Sequence, residues 1–143
     1  MKIRIVRIEK DLPLPEYQTE GATAFDLYSR EEANIAPREL RLLPANLIIE
    51  VPEGYVLVLA ARSSLAKKKG LVLRNGIGVI DQDYHGPEDE IRIMVYNFTD
   101  EPVTVARGER IAQGLILPMA RAESFEEVES IKKQSRGGFG GTG

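Results

Sequence analysis

Short apolar runs separated by turn residues recur along the first 118 positions of this 143-residue chain, and this spacing limits the fold more than any other feature. Aliphatic and β-branched residues fill the runs, whereas glycine, proline and asparagine end them. Strands of this length at short intervals are typical of an all-β sandwich or barrel. The predicted strands cover residues 2–8, 46–51, 55–61, 70–73, 91–97, 103–105 and 111–117.

The run at 55–61, Tyr-Val-Leu-Val-Leu-Ala-Ala, is apolar at nearly every position. A strand of this kind differs from the alternating pattern of a half-exposed strand. It predicts burial on both faces, as in the core of a sandwich.

Residues 1–134 are predicted to form one domain, since the chain is long enough to bury a core and no linker or repeat interrupts it before position 118. Only residues 123–133 have a helical spacing, with Phe125, Val128 and Ile131 as the apolar positions, and this predicts a weak helix at best. The tail at 135–143 is too rich in glycine to pack alone, and we expect it to be mobile in the free protein.

The composition excludes several kinds of chemistry. No cysteine is present, which excludes disulfides, thiolate metal sites and thiol catalysis, and the single His85 excludes a multi-histidine metal site. A hard cation with oxygen ligands, such as Mg²⁺, stays compatible. The net charge of −3 argues against a nucleic-acid partner but leaves a small anionic ligand open.

No apolar run approaches the length needed to span a membrane. The first residues, Met-Lys-Ile-Arg, also lack the apolar core of a signal peptide. We therefore expect a cytoplasmic protein with no membrane partner.

The segment 74–86 carries the strongest turn signal in the chain. Asn75 and Gly76 both tolerate the positive φ that a tight hairpin requires. The β-branched pair Val79-Ile80 follows directly and predicts a hairpin strand.

That strand would present Asp81, Asp83 and Tyr84 at its far end. The two-residue period of a strand places both acids on one face and the ring on the other, unless the chain bends. A carboxylate on a rigid hairpin suits a general base beside a flat ligand. Acids at a strand end are, however, more often solvated turn residues.

Arg62-Ser63-Ser64 follows the most apolar strand. A guanidinium, two hydroxyls and free backbone N–H groups at a strand end make a compact cradle for an oxyanion. Alternatively, the serines only cap the short segment at 65–69.

Three further polar positions are candidate site residues, and two of them, Asp26 and Arg110, have a second interpretation. Asp26, between Phe25 and Leu27 in a strand-like run, lies either on a solvent face or in the interior with a partner. Arg110 and Gln113 are fork-shaped donors that suit phosphate oxygens, but Arg110 could equally form a surface ion pair.

The glycine-rich tail contains Arg136 and Phe139. A ring in such a tail has no structural purpose unless it packs on something. Phe139 closing over a flat heterocycle while Arg136 binds an anion is one interpretation, and plain disorder is the other.

Five segments, in this order along nearly the whole chain, resemble the motifs of the trimeric dUTP pyrophosphatase (dUTPase) family. They are Ala22-Thr-Ala-Phe-Asp26-Leu-Tyr-Ser29, Arg62-Ser-Ser-Leu-Ala66, Asn75-Gly-Ile-Gly-Val-Ile-Asp-Gln-Asp-Tyr-His-Gly86, Gly108-Glu-Arg-Ile-Ala-Gln113 and Gly137-Gly-Phe-Gly-Gly-Thr-Gly143. The resemblance implies a jelly-roll-like β fold and a homotrimer with active sites shared between subunits. It also implies Mg²⁺-dependent hydrolysis of dUTP to dUMP and pyrophosphate.

By position, the resemblance implies that Asp81 is the base for the water that attacks the α-phosphorus, and that Tyr84 packs on the deoxyribose. Phe139 would cover the uracil, Arg136 would reach the γ-phosphate, and Asp26 would matter for a metal-bound water or a subunit contact. The uracil edge would be read by Asn75 and by main-chain groups of the hairpin, including Gly78, Val79 and Ile80. The triphosphate would be held by Arg62, Ser63, Ser64, Arg110 and Gln113.

Two places depart from the family pattern. The family arginine lies five residues before the tail phenylalanine, where this chain has Gln134, so either Arg136 or one of Lys132 and Lys133 takes that role. The acidic stretch at 86–90 is also longer than the usual turn, and we expect it to bulge near the site.

Two other functions compete with dUTP hydrolysis. A dCTP deaminase shares the fold but has a catalytic glutamate where this chain has Met94, and a thioether cannot transfer protons. A nucleotide-sensing module without catalysis would have no use for Asp81.

Overall fold

The computed structural model describes residues 1–138 and 140. Eleven strands and one short helical turn form in this part of the chain. The strands are β1 (Arg4–Arg7), β2 (Phe25–Tyr28), β3 (Ala33–Ile35), β4 (Leu40–Pro44), β5 (Leu47–Glu50), β6 (Tyr55–Ala61), β7 (Leu71–Leu73), β8 (Gly78–Ile80), β9 (Arg92–Asn97), β10 (Val103–Val105) and β11 (Arg110–Pro118). The helical turn covers Leu65–Lys69. The all-β prediction is confirmed.

A four-stranded antiparallel sheet in the order β2-β11-β6-β8 contains most of the predicted site residues. Its centre is β6, which pairs along its whole length with β11 and pairs with β8 at Leu57, Val58 and Leu59. Gly114 allows β11 to approach β2 closely, because a Cβ there would lie 2.5 Å from the Phe25 ring. The sheet therefore fixes the position of β8 (Gly78–Ile80) relative to the two ends of β6.

Three smaller antiparallel sheets complete the jelly-roll-like arrangement: β4-β9-β7, β1-β5 and β3-β10. Aliphatic side chains from all four sheets meet in one core. Fully buried members include Leu27, Ile35, Leu43, Leu57, Leu71, Ile93, Val95, Val105 and Ile111. This core was predictable from the alternation of apolar residues in the strands.

The prediction that β6 is buried on both faces is wrong for the single chain. Leu57 and Leu59 are buried, whereas Val56, Val58 and Ala60 are only half-buried. Neighbouring apolar side chains on the sheet are also exposed, with 57% of Val79 and 42% of Leu117 accessible. The outer face of the sheet is therefore apolar and open.

The Asn75-Gly76 turn forms as predicted, with φ of +76° at Gly76, but it does not close a two-stranded hairpin. The strand before it, β7, pairs with β9, and the strand after it, β8, pairs with β6. The turn thus carries the chain from one sheet to the other. A turn signal specifies the local bend but not the partners of the strands that leave it.

Two strands, β3 and β4, were missed, and one predicted element is absent. β4 ends at Pro44 on the edge of its sheet, where a missing N–H is tolerated. Residues 123–133 form no helix, and 95% of Phe125 and 92% of Ile131 are exposed. A short segment with only three apolar residues and no packing partner does not compensate for the cost of helix nucleation.

The helical turn at Leu65–Lys69, which is the one helix in residues 1–138 and 140, is far too short to cross a membrane.

Candidate active site

A buried carboxylate joins two of the predicted phosphate-binding arginines. Asp26 is 7% exposed, and its Oδ1 lies 3.0 Å from Arg62 Nε. Its Oδ2 accepts a hydrogen bond of 3.2 Å from Arg110 Nη1. Of the two interpretations of Asp26, the structure supports burial with partners. One acid thus orients two guanidinium groups, one from the residue after β6 and one from the start of β11.

A β-bulge explains how Arg110 and Gln113 come to lie on the same face of β11. Their spacing of three would place them on opposite faces of a regular strand. The register with β2 shifts by one residue between Arg110 and Ala112, and this extra residue reverses the alternation. Gln113 is then directly opposite Asp26, and its Nε2 donates to the carbonyl oxygen of Ala61 at 2.9 Å.

A cleft of about 290 Å³ lies beside this cluster, at the end of β6. Arg62, Ser64 and Arg110 line it, whereas Ser63 is exposed beside it. The Ser64 side chain makes no capping hydrogen bond to the helical turn that follows. Ser64 thus occupies the N-cap position without capping the turn through its side chain, and its hydroxyl is available to a ligand.

Asp81 lies in a different cleft, of about 520 Å³, together with Asp83, Val79 and Ile80. The chain turns immediately after β8, since the Tyr84 N–H donates to the Asp81 carbonyl oxygen at 3.2 Å. Both acids are exposed side chains on the wall of the cleft. The structure thus keeps the predicted base accessible to a water molecule.

Gln82 fixes this turn and was not singled out from the sequence. Its Nε2 donates to the carbonyl oxygens of Pro52 at 3.2 Å and Tyr55 at 3.1 Å. These contacts attach the Asp81 turn to the start of β6. An amide between two acids in a turn gives no recognisable sequence signal, because its partners are backbone atoms far along the chain.

Tyr84 is supported by a buried ion pair that sequence reasoning also missed. Its hydroxyl donates to the Glu90 carbonyl oxygen at 3.2 Å. The Glu90 side chain, 6% exposed, receives Nε and Nη2 of Arg30 at 2.8 and 3.0 Å, and the Asn46 N–H at 2.9 Å. The last residue of the acidic stretch at 86–90 thus anchors the tyrosine.

The electrostatics of Glu90 favour its ionised form. Burial raises the pKa of Glu90, but the hydrogen bonds from Arg30 and Asn46 N–H, together with the charges of Arg30 and Arg92, outweigh it. The pKa of Glu90 thus lies below its usual value. Burial without these partners would have the opposite effect.

Asn75 and the outer backbone edge of residues 78–80 form a rim at the edge of the sheet. β8 pairs only with β6 among the described strands, so half of its backbone N–H and C=O groups point outward. Gly78 is buried, and a Cβ there would lie 3.0 Å from Leu59 Cβ. Such a rim offers backbone donors and acceptors to a planar ligand.

The two clefts lie at opposite ends of β6. Asp81 follows Ile80, which pairs with Leu57, whereas Arg62 follows the last residue of the strand. Positions 57 and 62 are about 17 Å apart along an extended strand. One chain therefore does not bring Asp81 together with Arg62, Ser64 and Arg110.

The tail residues are only partly described. Arg136 is exposed and forms no ion pair with any of residues 1–138. Phe139 and residues 141–143 lie outside the described residues, so the predicted closure over a ligand is not addressed by the structure.

No group of three His, Asp or Glu side chains within residues 1–138 and 140 could hold a metal ion. Both oxygens of Asp26 face arginines instead. Mg²⁺ commonly binds through substrate phosphates and water with few protein ligands. The side chains present are compatible with a cation of that kind and not with a protein-enclosed one.

Comparison with known proteins identifies one family. The dUTPase family model matches residues 10–143. The deoxyuridine 5'-triphosphate nucleotidohydrolase of Thermoanaerobacter sp. is 42% identical, over all of this chain and 97% of the relative. The protein of the same name from Anaeromyxobacter sp. is 44% identical, over 92% of this chain and 88% of the relative.

Two solved dUTPase structures are similar to this chain in fold. The dUTPase of Streptococcus mutans superimposes with a TM-score of 0.77 at 35% identity, covering 84% of this chain and 98% of the other. The dUTPase of Staphylococcus bacteriophage 80alpha, solved with dUPNHPP, gives a TM-score of 0.82 at 26% identity, covering 99% and 98%.

Replacing Glu90 with glutamine should lower the free energy of unfolding by about 3 kcal/mol at pH 7, because Arg30 loses its buried counter-charge. The folded state lowers the pKa of Glu90, so its contribution is complete above the unfolded pKa of about 4.3 and is lost as the pH falls through the lower folded value. Urea unfolding between pH 7 and pH 3 measures this.

The matched control is Glu88→Gln, since Glu88 is exposed in the same loop. We expect the free energies of unfolding of the two variants to differ at pH 7 and to become equal in acid. Equal stability of both variants at pH 7 would contradict the anchoring role of Glu90.

Proposed function

Because the chain belongs to the dUTPase family, we propose that it hydrolyses dUTP to dUMP and pyrophosphate. The observation that carries the proposal is that the predicted residues line two clefts on one sheet. We call the cleft that contains Asp81 the acidic cleft, and the cleft that contains Arg62 and Arg110 the cationic cleft. The first holds a carboxylate beside an exposed backbone edge, and the second holds the arginines. Together they supply a base, a nucleobase site and a triphosphate site.

In the proposed reaction, Asp81 accepts a proton from a water molecule as the water oxygen attacks the α-phosphorus. The bond from this phosphorus to the α,β-bridging oxygen breaks, and pyrophosphate leaves with the bonding electrons. Asp81 lines its cleft beside Asp83, and the Gln82 hydrogen bonds hold the turn between them. A fixed carboxylate of this kind suits a general base, which must lie within hydrogen-bond reach of the water.

The outward backbone edge of β8 would read the uracil, with Asn75 at the preceding turn. Tyr84 would pack against the deoxyribose and leave no room for a 2′-hydroxyl. Its ring is supported in one orientation by the hydrogen bond to the Glu90 carbonyl oxygen. Discrimination by exclusion requires a support of this kind, because a mobile ring would yield to the extra oxygen.

Arg62, Ser63, Ser64, Arg110 and Gln113 would bind the triphosphate, and Mg²⁺ would be held mainly by its phosphate oxygens. The ion pairs with Asp26 orient both arginines before the substrate binds. Preorganised donors contribute more to phosphoryl transfer than mobile ones, since catalysis depends on positioning and charge neutralisation. Phe139 would then cover the uracil, with Arg136 at the γ-phosphate.

We further propose a homotrimer in which each active site combines the acidic cleft of one subunit with the cationic cleft of another. The length of β6 between the two clefts supports sharing, because the base and the triphosphate donors would act on adjacent phosphates but lie about 17 Å apart in one chain. The apolar outer face of the same sheet supports association, since exposed apolar patches often mark protein contacts. A cytoplasmic location stays a prediction from the sequence.

Deamination of dCTP is not favoured. Met94, at the position of the deaminase glutamate, lies in the middle of β9, where its thioether cannot transfer a proton. Incubation with dCTP should therefore release no ammonia. A nucleotide sensor without catalysis is likewise disfavoured, since it would not need an accessible carboxylate at position 81.

Replacing Asp81 with asparagine should lower kcat for dUTP by about 10²- to 10⁴-fold, because the amide cannot take the proton of the attacking water. Binding of dUTP should change little, since the phosphate donors are intact. Pyrophosphate release and calorimetric titration measure the two quantities. Asp83→Asn is the control, as it lines the same cleft, and a variant at 81 that kept most of its kcat would overturn the mechanism.

Replacing Tyr84 with alanine should reduce the preference for dUTP over UTP by about tenfold, because the surface that excludes the 2′-hydroxyl is removed. The ratio of kcat/KM for the two nucleotides measures this. Tyr84→Phe, which keeps the ring but loses the hydrogen bond that supports it, should give a ratio between those of the wild type and the alanine variant. An unchanged ratio in the alanine variant would exclude the tyrosine from sugar selection.

A further inference from the structure

The cationic cleft contains a charged side chain that has no assigned role. Its polar lining consists of Arg62, Ser64, Lys68, Lys69, Glu109 and Arg110. Lys68 lies in the helical turn that follows the Arg62-Ser63-Ser64 segment. It is exposed and therefore accessible to a ligand.

The other cations of the cleft are already paired. Arg62 and Arg110 share the carboxylate of Asp26. Lys69 Nζ lies 3.0 Å from Glu109 Oε1 and donates to the Thr104 carbonyl oxygen at 2.7 Å.

Lys68 alone among these cations forms no ion pair with any of residues 1–138 and 140. A neighbouring carboxylate offsets part of the attraction between a cation and an incoming anion, and the Lys68 ammonium has no such carboxylate neighbour among these residues. The unpaired charge is therefore the one best placed to respond to ligand phosphates.

The backbone directs Lys68 and Ser64 into the same cleft. The Lys68 N–H donates to the Ser64 carbonyl oxygen at 2.8 Å, which sets the two residues one helical turn apart. Side chains with this spacing lie on the same face, with Cβ atoms about 5–6 Å apart. That separation suits contacts to successive phosphates of one chain rather than to a single phosphate.

Both ends of the helical turn at Leu65–Lys69 are fixed by their contacts with the rest of the protein. Leu65 is 3% exposed and anchors the turn in the core. Gly70 ends it with φ of +68°, and a Cβ there would lie 2.3 Å from Thr99 Cγ2. The turn therefore keeps the Lys68 backbone beside the cleft without support from the ligand.

We propose that Lys68 binds the β- and γ-phosphates of the substrate, in the same subunit that supplies Arg62 and Ser64. This inference rests on the proposed function and adds a phosphate contact to it. A lysine ammonium is a compact point charge that suits terminal phosphate oxygens, while the arginines bind through planar forks.

The test compares Lys68→Gln with Lys67→Gln. Lys67 is an exposed lysine in the same helical turn, but it does not line the cleft. Binding of dUPNHPP and of dUMP is measured by calorimetry with Mg²⁺, alongside pyrophosphate release from dUTP. For Lys68→Gln we expect dUPNHPP binding to weaken by about 10- to 100-fold, with dUMP binding unchanged.

Lys67→Gln should match the wild type with both ligands, and Lys68→Arg should recover most of the lost affinity. Equal behaviour of the two glutamine variants, or an equal loss of dUMP and dUPNHPP binding at position 68, would overturn the inference. A wild-type protein that released no pyrophosphate from dUTP would instead overturn the proposed function. The two failures are thus distinguishable.

Discussion

Antiparallel pairing of β6 with β8 on one side and β11 on the other is the constraint on which the site depends. The register with β8 places Asp81 near the start of β6, and the register with β11 places Gln113 near its end. A shift of one residue in either pairing would turn these side chains to the other face of the sheet. The separation of the proposed base from the proposed phosphate donors is therefore built into the hydrogen bonding of a single strand.

Buried acids prepare both halves of the site. Asp26 holds Arg62 and Arg110 in the cationic cleft, and Glu90 holds Arg30 beneath the segment that bears Tyr84. Asp26 thereby fixes two arginines, whereas Glu90 fixes the segment that bears Tyr84. A buried carboxylate is tolerated only where charged donors surround it, and both acids meet this condition.

The strand pattern and the site residue types could be predicted from the sequence because both are local. Turn residues and apolar runs gave most strands, and clustered donors pointed to an anion. The partners of β7 and β8, the role of Asp26 and the Gln82 contacts could not be predicted, since each depends on groups distant along the chain. The prediction of a weak helix at 123–133 was wrong, because the spacing of apolar residues alone does not supply a surface for the helix to pack on.

Recovery of activity on mixing two inactive variants tests the shared site most directly. Asp81→Asn and Arg62→Met subunits are unfolded together and reassembled, and dUTP hydrolysis is assayed against each variant alone. If each site combines two subunits, random assembly restores about a quarter of the wild-type activity, because one site in four receives both intact residues. No recovery in reassembled mixed oligomers would contradict the account and place the whole site within one chain.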